Sequence, residues 1–469
     1  MRNVYKSAKS QMNNLRVVQI RLLQALAFAL AIVAVSSSAQ TSDRYQIGAY
    51  YFGTYSPTYN HRLAQTAMHY PGYPTPWWGG IMQYSLIPAG GSIDGWTARS
   101  PVPTPLSGFE FTEIKPALGW YNQDIGDTLY YQINQARAHG LSYFNFYWYY
   151  KPSTTGGIIN ETINAALHHT DDTSTSTPAG SFLAANDYIR NSEHKAGMKF
   201  MITIYGNGEV PDASGNLTLT RNGIVAGEYV RRWINYMKRP DYLRTRTNRP
   251  IIAFGQNVAG DPTLVRDTIS LLNQTWTNQG LGPLPYVVME NDEIGQAASV
   301  VSGSTCLNDA YQAAPTPYSN VWSYARYKTN HRTKLNSWPR APGGGSIPCA
   351  MTDFNEKPRT RVEYLGTPYP TSNDLATARG KVRYLSDWSE ITFDGVFSDL
   401  KAYLDSNYKA NNPVAGYATI YSWNEWSESV MNIEPSCQNN HWVLDKIQTR
   451  FGLNSDPGAT HYFCTNCVQ

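Results

Sequence analysis

Eight short runs of apolar, β-branched or aromatic residues recur along this chain, separated by amphipathic stretches, and that alternation constrains the fold more than any other feature. The runs cover residues 46–52, 141–149, 199–205, 250–254, 286–290, 306–311, 347–354 and 416–423. Helical periodicity lies between most of them, at 128–139, 181–196, 226–237, 262–276 and 395–408. Strands that alternate with helices run parallel through crossover connections. Eight such units predict a (β/α)8 TIM-type barrel, an α/β architecture that often runs long as one domain. Residues 55–118 are rich in Pro, Gly and aromatics and show no period, so they read as a long first βα loop over the barrel mouth. Trp77, Trp78 and Trp96 within it are available to line a groove.

The first 39 residues stand apart from this pattern. They hold five basic side chains (Arg2, Lys6, Lys9, Arg16 and Arg21) and no acid, then an apolar run over 22–35, then Ser36-Ser37-Ser38-Ala39. That order is a secretory signal peptide, and the run is too short to span a bilayer. No cysteine follows it to carry a lipid. The expected organisation is a signal peptide at 1–39, a catalytic barrel at 40–455 and a C-terminal tail at 456–469, with the mature chain secreted or periplasmic.

The leader also accounts for the positive charge. Of 38 Lys and Arg it holds five, leaving 33 against 35 Asp and Glu, so the mature chain is slightly acidic and offers no basic footprint for nucleic acid. Aromatics make up 13% of the chain, with 34 Tyr and 13 Trp, a composition suited both to core packing and to stacking on sugar faces.

Five cysteines follow residue 300. Cys464-Thr465-Asn466-Cys467 lacks a second CxxC or a His pair, so no metal site is expected. Export permits disulfides. The expected bridge joins Cys437 to Cys464 or Cys467 and pins the tail, and the odd count leaves one thiol over.

In such a barrel the chemistry sits at the C-terminal ends of the strands. Those ends supply Tyr51, Tyr147, Trp148, Asn207, Glu209, Glu290, Asp353 and Asn355 as candidate substrate-binding residues. A lone Asp or Asn after a strand is also a common turn or helix cap. The eighth end is more specific. YSWNEWSESVMNIEPS at 421–436 places Glu425 and Glu428 three positions apart beside Trp423, Asn424 and Trp426, with Glu434 close behind. In a helical turn, positions i and i+3 share one face with Cβ atoms about 5–6 Å apart. That approaches the carboxyl separation of about 5–5.5 Å found in retaining glycosidases. Two like charges so close disfavour ionisation of one of them, which supplies an acid beside a base. Glu425 and Glu428 are therefore the candidate catalytic pair, and Trp423, Asn424, Trp426 and Glu434 candidate binding residues around them.

These residues resemble glycoside hydrolase family 99 and the WbsX-like group of (β/α)8 proteins. The family signature reads Trp-Asn-Glu-Trp-x-Glu-Gly followed by Glu-Pro. This chain has Trp423-Asn424-Glu425-Trp426-Ser427-Glu428-Ser429, then Glu434-Pro435, with serine in place of the final glycine. Ile47 to Phe52, Pro116 to Tyr121, Phe144 to Tyr149 and Asp353 to Arg359 are similar to further family elements, whereas Thr203 to Glu209 matches its counterpart only loosely. The resemblance implies a retaining endo-α-mannosidase mechanism in which the substrate's own 2-hydroxyl attacks C1. Glu425 would then deprotonate that hydroxyl, and Glu428 would protonate the leaving oxygen and later activate water. Spacing alone equally admits an enzyme nucleophile. Neither route calls for a cofactor.

The expected function is hydrolysis of glycosidic bonds in a polysaccharide or oligosaccharide. A non-catalytic carbohydrate-binding protein would have no use for both glutamates, and a WbsX-like glycosyltransferase would need an activated sugar donor that an exported chain does not meet.

Overall fold

Eight barrel strands form, seven of them within the runs read from sequence. The computed structural model describes residues 44–53, 92–93, 96–97, 116–119, 121, 126–148, 150–152, 159–162, 182–191, 197–204, 223–255, 262–290, 299–315, 321–337, 345–356, 383–426, 428–437 and 439–459. Asn207, Glu209, Trp77, Trp78, Cys464, Cys467 and the proposed leader lie outside them.

The strands are β1 (Gln46–Tyr51), β2 (Tyr143–Trp148), β3 (Lys199–Ile204), β4 (Ile251–Phe254), β5 (Tyr286–Glu290), β6 (Gly303–Thr305), β7 (Cys349–Met351) and β8 (Tyr417–Tyr421). Among the described residues they make one sheet in the order β6-β5-β4-β3-β2-β1-β8-β7, and every pairing is parallel. The two ends of that order meet. Thr305 bridges Ile347 in parallel, Ile347 N donates to Ser304 O at 2.9 Å, and a disulfide joins Cys306 to Cys349 just beyond. The sheet is thus closed into a (β/α)8 barrel.

Helices α1 (Gly126–Ala138), α2 (Phe182–Asn191), α3 (Gly223–Met237), α4 (Pro262–Asn278), α5 (Tyr324–Ser337), α6 (Glu390–Ser406) and α7 (Trp442–Phe451) pack around it. No described helix is long and apolar enough to cross a membrane.

Side-chain alternation sorts each strand into two faces. On β2, Phe144, Phe146 and Trp148 point to the helices: Phe144 and Phe146 meet Phe182 of α2 at 6.1 and 4.9 Å between ring centroids, and Trp148 meets Trp233 of α3 at 5.6 Å. Edge-on aromatic pairs of this kind add about 0.5–1.5 kcal/mol each beyond the area they bury. α2 answers with Phe182, Leu183, Ala185, Asn186 and Ile189 on its buried face.

The other face, Tyr143, Asn145 and Tyr147, fills the barrel. Tyr143 Oη donates to Ala418 O at 2.9 Å on β8, so its ring lies across β1, where a Cβ on Gly48 would come within 2.3 Å of it. Only glycine fits there. Higher up, Thr203 Oγ1 donates to Asn145 Oδ1 at 2.7 Å.

The sixth strand departs from the reading of the sequence. It spans Gly303–Thr305, and the residues expected as strand, 306–311, form the bend after it and enter a 3₁₀ turn at Ala310–Ala313. Cys306 and Cys349 are joined, a bridge that the sequence reading did not name. Cys437 is also disulfide-bonded. The segment that follows α7 docks on α1, with Asp456 N donating to Arg137 O at 3.1 Å and the Asp456 carboxylate paired with the Arg137 guanidinium.

Candidate active site

The turn after β8 holds both candidate acids. It begins with a cis peptide between Tyr421 and Ser422. Ser422 Oγ accepts the Glu425 amide at 3.0 Å and donates to Asn432 Oδ1 at 2.9 Å. Glu428 N donates to Glu425 O at 3.0 Å, which places the two glutamates at i and i+3 of a single turn. Glu425 is buried, and Glu428 is partly exposed. The loop is closed at its neck, where Ile433 N donates to Ser422 O at 2.9 Å and Glu434 N to Trp423 O at 2.8 Å.

Tyrosines form the floor beneath this turn. Tyr421, the last residue of β8, donates its hydroxyl to the Glu428 carboxylate. Its ring lies 6.5 Å from that of Tyr50, which stacks on Tyr147 at 5.4 Å. Tyr50 Oη reaches across the barrel to donate to Cys306 O at 2.6 Å. Burial, reinforced by the negative charge of Glu290, holds the Tyr50 phenol well above the usual tyrosine range, so it stays a neutral donor. Glu290 ends β5 and is 8% exposed. Tyr147, Tyr50, Tyr421 and Glu428 therefore form a continuous row from β2 to the loop of β8.

The segment after β7 braces the far side. Asp353 Oδ2 accepts Val430 N at 3.1 Å, and Asn355 N donates to Glu428 O at 2.5 Å. That segment is itself fixed by an ion pair between the buried Glu356 and the partly exposed Arg383, whose guanidinium lies 5.4 Å from the Trp322 ring centroid. A guanidinium so placed meets both a carboxylate and an aromatic face.

Six sequence candidates sit in the wall instead of the mouth. Tyr51 packs on Phe144 and Phe146 and donates to Gln132 Oε1 at 2.5 Å. Trp148 is enclosed by α3. The Trp423 ring meets Phe144 at 5.0 Å on the outer face of the sheet. Asn424 holds the backbone of Phe52, and the indole of Trp426 donates to Glu434 Oε2 at 2.9 Å. Glu434 itself is 1% exposed. Among candidates the structure describes, it gathers Glu425, Glu428, Glu290, Asp353, Asn355 and Tyr147 around the C-terminal end of the barrel.

Reasoning from sequence overlooked Tyr50, Tyr421 and Ser422. The signal was available for Tyr50, because period-two alternation that places Tyr51 outside places its neighbour within.

No known family model matches this chain, and no curated protein matches it. Solved structures do. A glycoside hydrolase-like protein aligns at 12% identity with a TM-score of 0.49, covering 88% of this chain and 95% of its own. The GH99 endo-alpha-mannosidase from Bacteroides thetaiotaomicron aligns at 14% identity and TM-score 0.48, covering 87% and 96%. A Bacteroides ovatus GH5 xyloglucanase aligns at 10% identity and TM-score 0.33, covering 82% and 81%.

Proposed function

We propose that this chain is an exported glycoside hydrolase that cleaves a polysaccharide or oligosaccharide with retention of configuration, using Glu425 and Glu428. The observation that carries the proposal is the braced turn itself. Two glutamates at i and i+3 follow the C-terminal end of β8, with Ser422 fixing the backbone amide of Glu425 and the Tyr421 hydroxyl holding the Glu428 carboxylate. Surface glutamates on an ordinary helix start have no reason to be buried or to have such partners.

On the resemblance to glycoside hydrolase family 99, Glu425 takes the proton from the substrate's 2-hydroxyl as that oxygen bonds to C1. Glu428 protonates the departing glycosidic oxygen as its bond to C1 breaks. A water then enters at C1, giving its proton to Glu428, while the C1–O2 bond opens and Glu425 returns its proton to O2. Both carboxyl groups end as they began. A direct attack by Glu425 on C1 fits the same i, i+3 spacing and also retains configuration. Glu290 and Tyr147, at the C-terminal ends of β5 and β2, are the residues we assign to contacts with the sugar.

The test is release of reducing ends from a panel of mannans and other plant and bacterial polysaccharides, with and without a nucleotide sugar. Release without the nucleotide sugar supports hydrolysis. Tight binding with no product across the panel overturns it.

A further inference from the structure

Glu434 stands beneath the turn instead of at the mouth, and its surroundings are unusual for a carboxyl group. Tyr121 Oη donates to Oε2 at 2.7 Å, Trp426 Nε1 to Oε2 at 2.9 Å, and Gln132 Nε2 of α1 to Oε1 at 2.6 Å. The Gln132 amide is oriented by Tyr51 Oη, which donates to its Oε1 at 2.5 Å. Among the described residues, the three side chains that bond to the Glu434 carboxylate are neutral donors.

Both sequence neighbours of Glu425 depend on this carboxylate. Trp426 is held by it directly. Asn424 Nδ2 donates to Tyr121 Oη at 3.2 Å, and that hydroxyl gives its own proton to Glu434. The carboxylate therefore fixes the peptide on each side of the candidate base.

We infer that Glu434 is a positioning residue whose ionised form locks the Glu425–Glu428 turn, so that turnover requires Glu434 to be deprotonated. The kinetic half of this inference rests on the glycosidase reading above; the lock itself does not. A protonated Glu434 would need an acceptor for its new hydrogen. The Trp426 indole has none, Gln132 could accept only by turning its amide away from Tyr51, and Tyr121 Oη could accept only by turning its own proton away from Glu434.

Burial, opposed by the three donors, raises the Glu434 pKa to about 7. The proton is therefore gained as pH falls through neutrality. The turn is locked above that point and loosened below it.

The experiment uses the full chain labelled with [15N]tryptophan, the Trp426 indole resonance being identified by its loss in Trp426→Phe. It is followed across neutral pH in wild type, Glu434→Gln and Tyr121→Phe, alongside kcat and KM on a hydrolysed glycan. The wild-type indole should titrate with a midpoint near that of Glu434 and be static in Glu434→Gln. In Tyr121→Phe the midpoint should move to higher pH, because one donor to the charged form is gone. The acid limb of kcat should move with it while KM stays unchanged. An unaltered indole titration in Glu434→Gln overturns the lock. A kcat limb that does not shift in Tyr121→Phe overturns the coupling to turnover. If Glu434→Gln fails to fold, Tyr121→Phe carries both readings, and if no glycan is hydrolysed the indole titration still decides the lock while the hydrolase reading fails separately.

Discussion

Asn424 holds Phe52 by both of its backbone groups: Phe52 N donates to Asn424 Oδ1 at 2.8 Å, and Asn424 Nδ2 donates to Phe52 O at 2.9 Å. The residue after β1 is thereby fastened to the loop after β8, one position before Glu425. Asn424→Ala removes both bonds at a buried site. Each stranded buried group costs about 1–3 kcal/mol. The urea midpoint should fall by a corresponding amount, and turnover should fall with it because Glu425 loses its anchor. An unchanged midpoint would show that other groups already hold Phe52.

Tyr147 and Trp148 are neighbours in sequence on opposite faces of β2, so their substitutions should separate. Trp148→Ala empties a site enclosed by Tyr229 and Trp233. Truncation of a buried tryptophan typically loses about 3–5 kcal/mol, which a thermal melt will detect. Tyr147→Phe keeps the stack on Tyr50 and removes only a hydroxyl at the site. Its melting temperature should stay close to wild type while KM for a glycan rises. A large loss of stability in Tyr147→Phe would place that hydroxyl in the core instead.

The barrel was legible because the outer face of each strand must be apolar, and runs such as Lys199–Ile204 and Tyr286–Glu290 announce themselves. Its interior was not, since Tyr143, Tyr50, Tyr147 and Tyr421 fill it with aromatics as large as those outside, which hides the alternation. β6 was misplaced for a different reason. Gly303-Ser304-Thr305 carries no apolar pattern, because the seam it forms is tight: a Cβ on Gly303 would come within 2.2 Å of Gly345 O. α5 is so polar, with Arg, Lys, Asn and Thr through most of its length, that its buried stripe of Tyr324, Tyr327, His331 and Leu335 is hard to pick out. In the site, the two glutamates at i and i+3 were readable from spacing. The third was not separable from them, because nothing in the sequence tells that three neutral donors converge on Glu434.

The Cys306–Cys349 bridge lies where the sheet order closes and spans 43 residues. Cross-linking a loop of that length restricts the unfolded chain by about 4 kcal/mol. Cys306→Ala with Cys349→Ala should therefore lower the unfolding free energy by roughly that amount, read by urea titration in the absence of reductant. Since the Cys306 carbonyl accepts from Tyr50, and Tyr50 lies against Tyr421, turnover should fall as well. Equal stability of the double variant and wild type would show that backbone pairing alone closes the seam.

Glu425 and Glu428 should be separable by role. Replacing either with Gln keeps shape and removes ionisation, so substrate binding should persist while turnover falls by the factor of about 10²–10⁴ associated with lost acid or base catalysis. An aryl glycoside with a good leaving group needs little protonation. It should restore the first step in Glu428→Gln and fail to do so in Glu425→Gln, whose missing group acts before the leaving group departs. Tyr421→Phe removes the hydroxyl that meets Glu428 and leaves Glu425 as it was. It should therefore resemble a mild Glu428 variant, with a larger loss on unactivated glycans than on the aryl glycoside. A 2-deoxy or 2-fluoro substrate should be inert with wild type if the 2-hydroxyl is the nucleophile. A sugar trapped covalently on Glu425 would replace that route with direct attack while leaving hydrolysis intact. Full activity in both Gln variants would remove the catalytic role from this turn altogether.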